Sequence, residues 1–175
     1  MKRRRSLPLF RSTEPDVYLI DTSAWLNIDS RTDREDVWRI IVGLIEQGRI
    51  VACAQVLAEL RDDPVYASRL KPYEKALQAG DRSSDDPDYL QYVGKVTHDH
   101  PGMSRATGLK TPADPYVVAL AELEGYVVVA DETAMKRPNR KIPGVCQQRG
   151  IRCLTLAQFI AAVAAEVAAN GAEKT

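Results

Sequence analysis

Five carboxylates stand where short apolar runs stop or where the neighbouring helices begin: Asp21, Glu59, Asp114, Asp131 and Glu132. Asp21 follows the run Val17-Tyr18-Leu19-Ile20, and Asp131 and Glu132 follow Tyr126-Val127-Val128-Val129-Ala130. Glu59 falls one to two turns into a helix expected over Gln55 to Arg61, and Asp114 opens another at Asp114-Pro115. Singly, each has an ordinary explanation as a helix cap, a turn residue or a solvated helix position. Together they would converge, from distant points of the chain, on one edge of a sheet built from those runs. Two like charges ~4 Å apart cost ~4 kcal/mol at an effective dielectric near 20. Such a cluster is stable in ionised form when cations sit in it, and oxygen-only donors favour Mg²⁺ or Mn²⁺ over zinc.

The elements that must position these acids can be read from the apolar pattern. Val17–Ile20, Ile50–Cys53, Tyr126–Ala130 and Ile151–Leu154 are short apolar runs of the kind that form buried parallel strands. Between them lie stretches of helical spacing: Asp36 to Gln47, ended by Gly48; Gln55 to Arg61; and the helix that starts at Asp114 and ends at Gly125. Thr155-Leu156-Ala157-Gln158 is a capping box that opens a last helix carrying Phe159, Ile160, Val163 and Val167. Residues 64–110 read as a helical insert, with helices over Val65 to Ala79 and Pro87 to Thr97. Asp131 to Gly150 reads as a basic connection with one helical turn near Val145. The alternation predicts a three-layer α/β/α fold with a central parallel sheet, in which sites form at the carboxyl ends of the strands.

The whole chain has 175 residues, which suits one domain. It divides into a basic arm over 1–15, a body over 16–169 and a tail over 170–175. Its 24 basic and 24 acidic residues cancel. The arm nevertheless holds Lys2, Arg3, Arg4, Arg5 and Arg11 against Glu14, a surplus of +4 that leaves the body at −4. A 45% hydrophobic and 27% charged composition excludes a disordered regulator or an acidic tail protein. The basic start lacks a following apolar stretch, and no run of ~18 apolar residues occurs, so neither a secretory signal nor a membrane span is expected. The three cysteines form no C-x-x-C pair, which fits free thiols and a cytoplasmic location. His98-Asp99-His100 has ligand-type residues but no further ligand at suitable spacing.

Val17-Tyr18-Leu19-Ile20-Asp21-Thr22-Ser23, Val56-Leu57-Ala58-Glu59-Leu60, Ala113-Asp114-Pro115-Tyr116-Val117-Val118-Ala119-Leu120-Ala121 and Val128-Val129-Ala130-Asp131-Glu132 resemble, in order, the four acidic motifs of PIN-domain ribonucleases. The likeness covers about residues 16–165. Arg140-Lys141-Ile142-Pro143-Gly144-Val145-Cys146, with Gly150-Ile151-Arg152-Cys153, looks like a particular PIN-like subfamily of prokaryotic proteins. The resemblance implies Mg²⁺- or Mn²⁺-dependent hydrolysis of RNA phosphodiesters. In that reading Asp21, Asp114 and Glu132 hold metal, Glu59 helps, and Ser23 orients a water. The fourth acid stays open between Asp131 and Glu132, because the family's Thr-x-Asp is Ala130-Asp131-Glu132 here. Many PIN domains are toxins of type II toxin–antitoxin pairs and many dimerise, so the resemblance implies an antitoxin protein and a second copy as partners.

RNA brings negative charge to an acidic pocket, so cations must flank it. Lys110, Lys136, Arg137, Arg140 and Lys141 are the candidates, with the 2–5 arm. Rival readings exist. A phosphatase needs a second acid two residues after the nucleophile, and that position is Ser23. A receiver domain leaves Glu59 without a role. A PIN-like RNA- or protein-binding module with a degenerate acidic site, and a housekeeping RNA-processing nuclease, are the remaining alternatives.

Overall fold

A computed structural model describes residues 15–82, 85–104, 112–132 and 140–172. It contains a four-stranded parallel sheet flanked by helices, a three-layer α/β/α arrangement. The strands are β1 (Tyr18–Ile20), β2 (Ile50–Val51), β3 (Val127–Val129) and β4 (Cys153–Leu154), in the order β2-β1-β3-β4. β1 pairs with β2 through Tyr18↔Ile50 and with β3 through Tyr18↔Val127, Leu19↔Val128 and Ile20↔Val129. Both central strands are buried along their whole length. That is why they read as unbroken apolar runs, with no polar residue on alternate positions.

The order of the strands sets where the helices go. The connection from β1 to β2 runs one way across the sheet, and those from β2 to β3 and from β3 to β4 run the other way. Right-handed crossovers therefore put the two sets on opposite faces. The first carries α1 (Thr22–Ile28) and α2 (Arg34–Glu46), which turn Trp25, Ile28, Val37, Trp38, Ile41, Leu44 and Ile45 into the core. α9 (Leu156–Ala172) returns to this layer, with Phe159 edge-on to Tyr18 at 4.8 Å. α3 (Ala54–Leu60) follows β2 and touches α1. The opposite layer is built on α7 (Asp114–Glu124), where Val117 to Ala121 are buried without a break. It packs between α6 (Pro87–Asp99) and α8 (Ile142–Arg149). Gly125 ends α7 at φ 77°, a left-handed turn that lets β3 start two residues later.

Several expected elements differ in extent. The single helix expected over Val65 to Ala79 is broken into α4 (Pro64–Leu70), a 3₁₀ turn at Lys71–Tyr73 and α5 (Glu74–Gln78). Pro72 is the reason, since it supplies no backbone N–H to a continuing helix. The one turn expected near Val145 is the full helix α8, and Pro143 sits in its first turn, where the missing N–H costs nothing. Tyr126, Ala130, Ile151 and Arg152 lie outside the strands. The Thr155–Gln158 capping box forms as read: the Thr155 N–H donates to Gln158 Oε1 and the Gln158 N–H to Thr155 Oγ1. Cys53, Cys146 and Cys153 are free thiols. Among the described residues, no helix is long and apolar enough to cross a membrane.

Candidate functional site

The Asp21 N–H donates to Val129 O, and the Ala130 N–H donates to Leu154 O. The pairing of β1, β3 and β4 thus continues one residue past the strands, and their carboxyl ends lie side by side. Asp21 begins α1 as its N-cap, and its Oδ2 accepts from the Ser23 amide at 3.0 Å and the Ser23 hydroxyl at 2.7 Å. The carboxylate is 3% exposed. Burial raises its pKa, the Ser23 hydrogen bonds oppose the rise, and the charge of Glu132 adds to it.

Glu59 reaches the same edge from α3. Its Oε2 accepts from the Thr22 hydroxyl at 2.5 Å and its Oε1 from the Ala113 amide at 3.1 Å. One carboxylate therefore ties the start of α1 to the residue before α7. Asp114 occupies the first position of α7, with Ala113 as the cap residue and no side-chain capping bond. The capping explanation for Asp114 is thereby removed, although a negative charge in the first turn remains favourable to the helix dipole. Burial, then Asp21, Glu132 and Glu59 in that order, push the Asp114 carboxyl up to about 7, with Lys141 acting the other way. Four carboxylates from four separate segments therefore share one electrostatic neighbourhood.

The two consecutive acids after β3 part company. Asp131 turns to the first helical layer: Oδ1 accepts from the Leu156 amide at 3.2 Å, at the start of α9, and Oδ2 from Asn27 Nδ2 at 3.1 Å. Its own amide donates to Ser23 Oγ at 3.1 Å. Glu132 points the other way, into the field of Asp21 and Asp114. Its Oε1 lies 2.5 Å from Lys141 Nζ and its Oε2 accepts from the Ile142 amide at 3.4 Å, at the start of α8. Side chains of successive residues leaving a strand face opposite sides, which is the physical reason the pair divides. Asp131→Ala should therefore lower stability by about 1 kcal/mol through the lost cap. Its effect on any chemistry at this edge should be smaller than that of Glu132→Gln; equal effects of the two substitutions on cation binding would contradict the division.

Ser23 bridges Asp21 and the Asp131 backbone, so its hydroxyl is committed to protein groups. Among the expected cations, Lys141 is paired with Glu132, and Arg140 is exposed with its aliphatic stem against Gly102. Lys110, Lys136 and Arg137 lie outside the described residues, as do residues 1–14 of the arm. Of the His98-Asp99-His100 group, Asp99 is taken by Arg149 and the buried His100 ends α6, so the three do not converge. Two contributors had no signal in the sequence. Thr22 is simply the residue after Asp21, and Asn27 is a lone amide between Leu26 and Ile28; their partners, Glu59 and Asp131, are distant in the chain.

The family model described as a domain of unknown function, DUF4411, matches residues 18–167. The chain belongs to the DUF4411 family. No curated protein matches it. The matched DUF4411 span opens on the first residue of β1 and runs into α9, so it contains all the acids of the edge, Lys141 and the Asp131 cap. Among the described residues, no three His, Cys, Asp or Glu side chains stand in a ready metal-ligand arrangement. The donor chemistry fits a hard divalent cation all the same. The donors are carboxylate oxygens, two of them held partly against ionisation by burial, and a lysine ammonium already sits where positive charge is favoured.

Proposed function

We propose that this chain is a divalent-metal-dependent ribonuclease that hydrolyses RNA phosphodiester bonds. The observation that carries the reading is the meeting of Asp21, Glu59, Asp114 and Glu132 at the carboxyl ends of β1 and β3, with Asp114 pushed up to about 7 by burial and its three acidic neighbours. Acid buried against acid is a standing cost to the fold, and sites with such perturbed groups are candidates for chemistry. The order and spacing of the four segments resemble those of PIN-domain ribonucleases, which supports the same reading.

In this reading Asp21, Asp114 and Glu132 hold Mg²⁺ or Mn²⁺. The bound ion supplies positive charge to the phosphate and lowers the pKa of water. The protein does the positioning. Ser23 fixes Asp21 through two hydrogen bonds. Glu59 holds the first turn of α1 and the start of α7 in register, so Asp21 and Asp114 keep their separation. Asp131 stays with α9 and takes no part. Arg140, exposed and next to Lys141 in the chain, contributes charge to the RNA backbone. The partners proposed are RNA and, by the same resemblance, an antitoxin protein in a prokaryotic cytoplasm.

Purified protein should cleave RNA in Mn²⁺ or Mg²⁺, stop on chelation, and lose at least ~10²-fold in rate in Asp21→Asn or Asp114→Asn, in line with the loss of a preorganised charge-stabilising group. Equal cleavage by wild type and Asp114→Asn would mark the activity as a contaminant and sink the assignment. For the toxin role, expression should arrest growth, and Asp21→Asn should relieve the arrest. Cleavage without growth arrest would favour a housekeeping RNA-processing enzyme.

A further inference from the structure

The sequence places Lys141 among the cations that meet RNA, yet its ammonium is directed at Glu132. Nζ contacts Glu132 Oε1 at 2.5 Å, and its charge also acts on Asp114 and Asp21. One ammonium thus lies in the field of three of the four clustered acids. Its backbone is fixed, because Lys141 is the extended residue that caps α8. Its side chain is not fixed in the same way: 41% of it is exposed, against 17% for Glu132. Glu132 also keeps a second donor, the Ile142 amide at the start of α8, so its carboxylate remains oriented when the ammonium leaves. A four-carbon stem with an exposed face can swing to solvent without disturbing the core.

We propose that Lys141 is a built-in counter-ion that competes with a divalent cation for Glu132. This rests on the metal-dependent reading above. In the cation-free protein the ammonium partly neutralises the acidic edge. Glu132 Oε1 would then exchange the ammonium for a divalent ion of twice the charge, and Asp21 and Asp114 would supply further carboxylate oxygens to it. The freed ammonium then stands at the rim of the site. Lys141 is in this account a positioning residue, and its removal separates two effects that a simple RNA-contact role would merge.

The test is Mn²⁺ binding by the full chain, read from the electron paramagnetic resonance signal of free Mn²⁺ at fixed pH and ionic strength, with no RNA present. Lys141→Met should bind Mn²⁺ at least ~10-fold more tightly than wild type, as expected when a competing charge within ~4 Å is removed. Lys141→Arg should stay near wild type. The gain should shrink in the Glu132→Gln background, where the contested oxygen has lost its charge. Lys141→Gln, checked for folding by thermal melting, serves if the Met variant does not fold. Equal or weaker binding by Lys141→Met, with wild type binding, overturns the competition and leaves the metal-dependent reading standing. Failure of every variant to bind Mn²⁺ overturns both.

Discussion

Asp114→Asn should flatten the fall in stability that the wild-type protein shows as pH rises from about 4 to about 7. The unfolded aspartate loses its proton near pH 3.9. In the folded protein burial, first, and then Asp21, Glu132 and Glu59 hold the proton on until about pH 7. Between those values the native state binds more protons than the unfolded one, so stability is greatest below the window and declines through it. A window of about three pH units caps the effect at about 4 kcal/mol, and partial solvent access reduces this to on the order of 2 kcal/mol. Asparagine cannot ionise, so the variant should match wild type near pH 4 and exceed it at pH 8. Asp21 is raised in the same direction, which leaves the variant a residual slope. Urea midpoints at pH 4, 6 and 8 in chelator provide the measurement. Parallel curves for the two proteins would show that Asp114 is not strained by its neighbours. Mn²⁺ should restore the wild type at pH 8 more than the variant.

Phe159→Ala should cost about 3–5 kcal/mol, the range for truncating a fully buried phenylalanine. Phe159 and Tyr18 are both 0% exposed and meet edge to face, with an interplanar angle of 73°. Their contact is where α9 closes over the central strand. The polar rim around it cannot relax easily into a void. The Tyr18 hydroxyl donates to Glu166 Oε1 at 3.3 Å, Arg49 Nη2 donates to Glu166 Oε2 at 2.8 Å, and Arg49 Nε donates to Asp16 O. Against a stability of ~5–15 kcal/mol for an ordinary domain, this change alone approaches global unfolding. Val167→Ala, on the same helix but at a position 68% exposed, should fall within about 0.5 kcal/mol of wild type. Denaturant melts of the two variants would separate the cases; similar losses would place Phe159 outside the core.

The contrast between what could be read and what could not follows from how local each signal is. The two central strands were legible because burial on both faces demands unbroken apolar runs such as Val127–Val129. Asp21 was legible as a strand-end acid because one residue of spacing decides it. Helix α8 was under-read, since Pro143 looks like a breaker until its place in the first turn is known. The choice between Asp131 and Glu132 had no sequence answer. Spacing from β3 is the same to within one residue, and only the positions of Leu156, Asn27 and Lys141 in space separate them. Lys141 is legible by its charge, but not by its direction, because its partner Glu132 stands nine positions earlier in the chain. Thr22 carries no local signal, because a hydroxyl beside an acid is commonplace, whereas its bond to Glu59 spans two elements.

The sheet order has a consequence for the life of the chain on the ribosome. β1 lies between β2 and β3, and its pairing of Tyr18 with Val127 joins residues more than a hundred positions apart. Synthesis runs from the amino end, so a growing chain has β1 and β2 long before it has β3. During that interval Asp21 and Glu59 exist without Glu132 or Lys141, and the central strand lacks one of its two neighbours. Such distant pairings are also slow to form. The acidic edge is therefore complete only after β3 and Lys141 have been made, more than a hundred residues after Asp21.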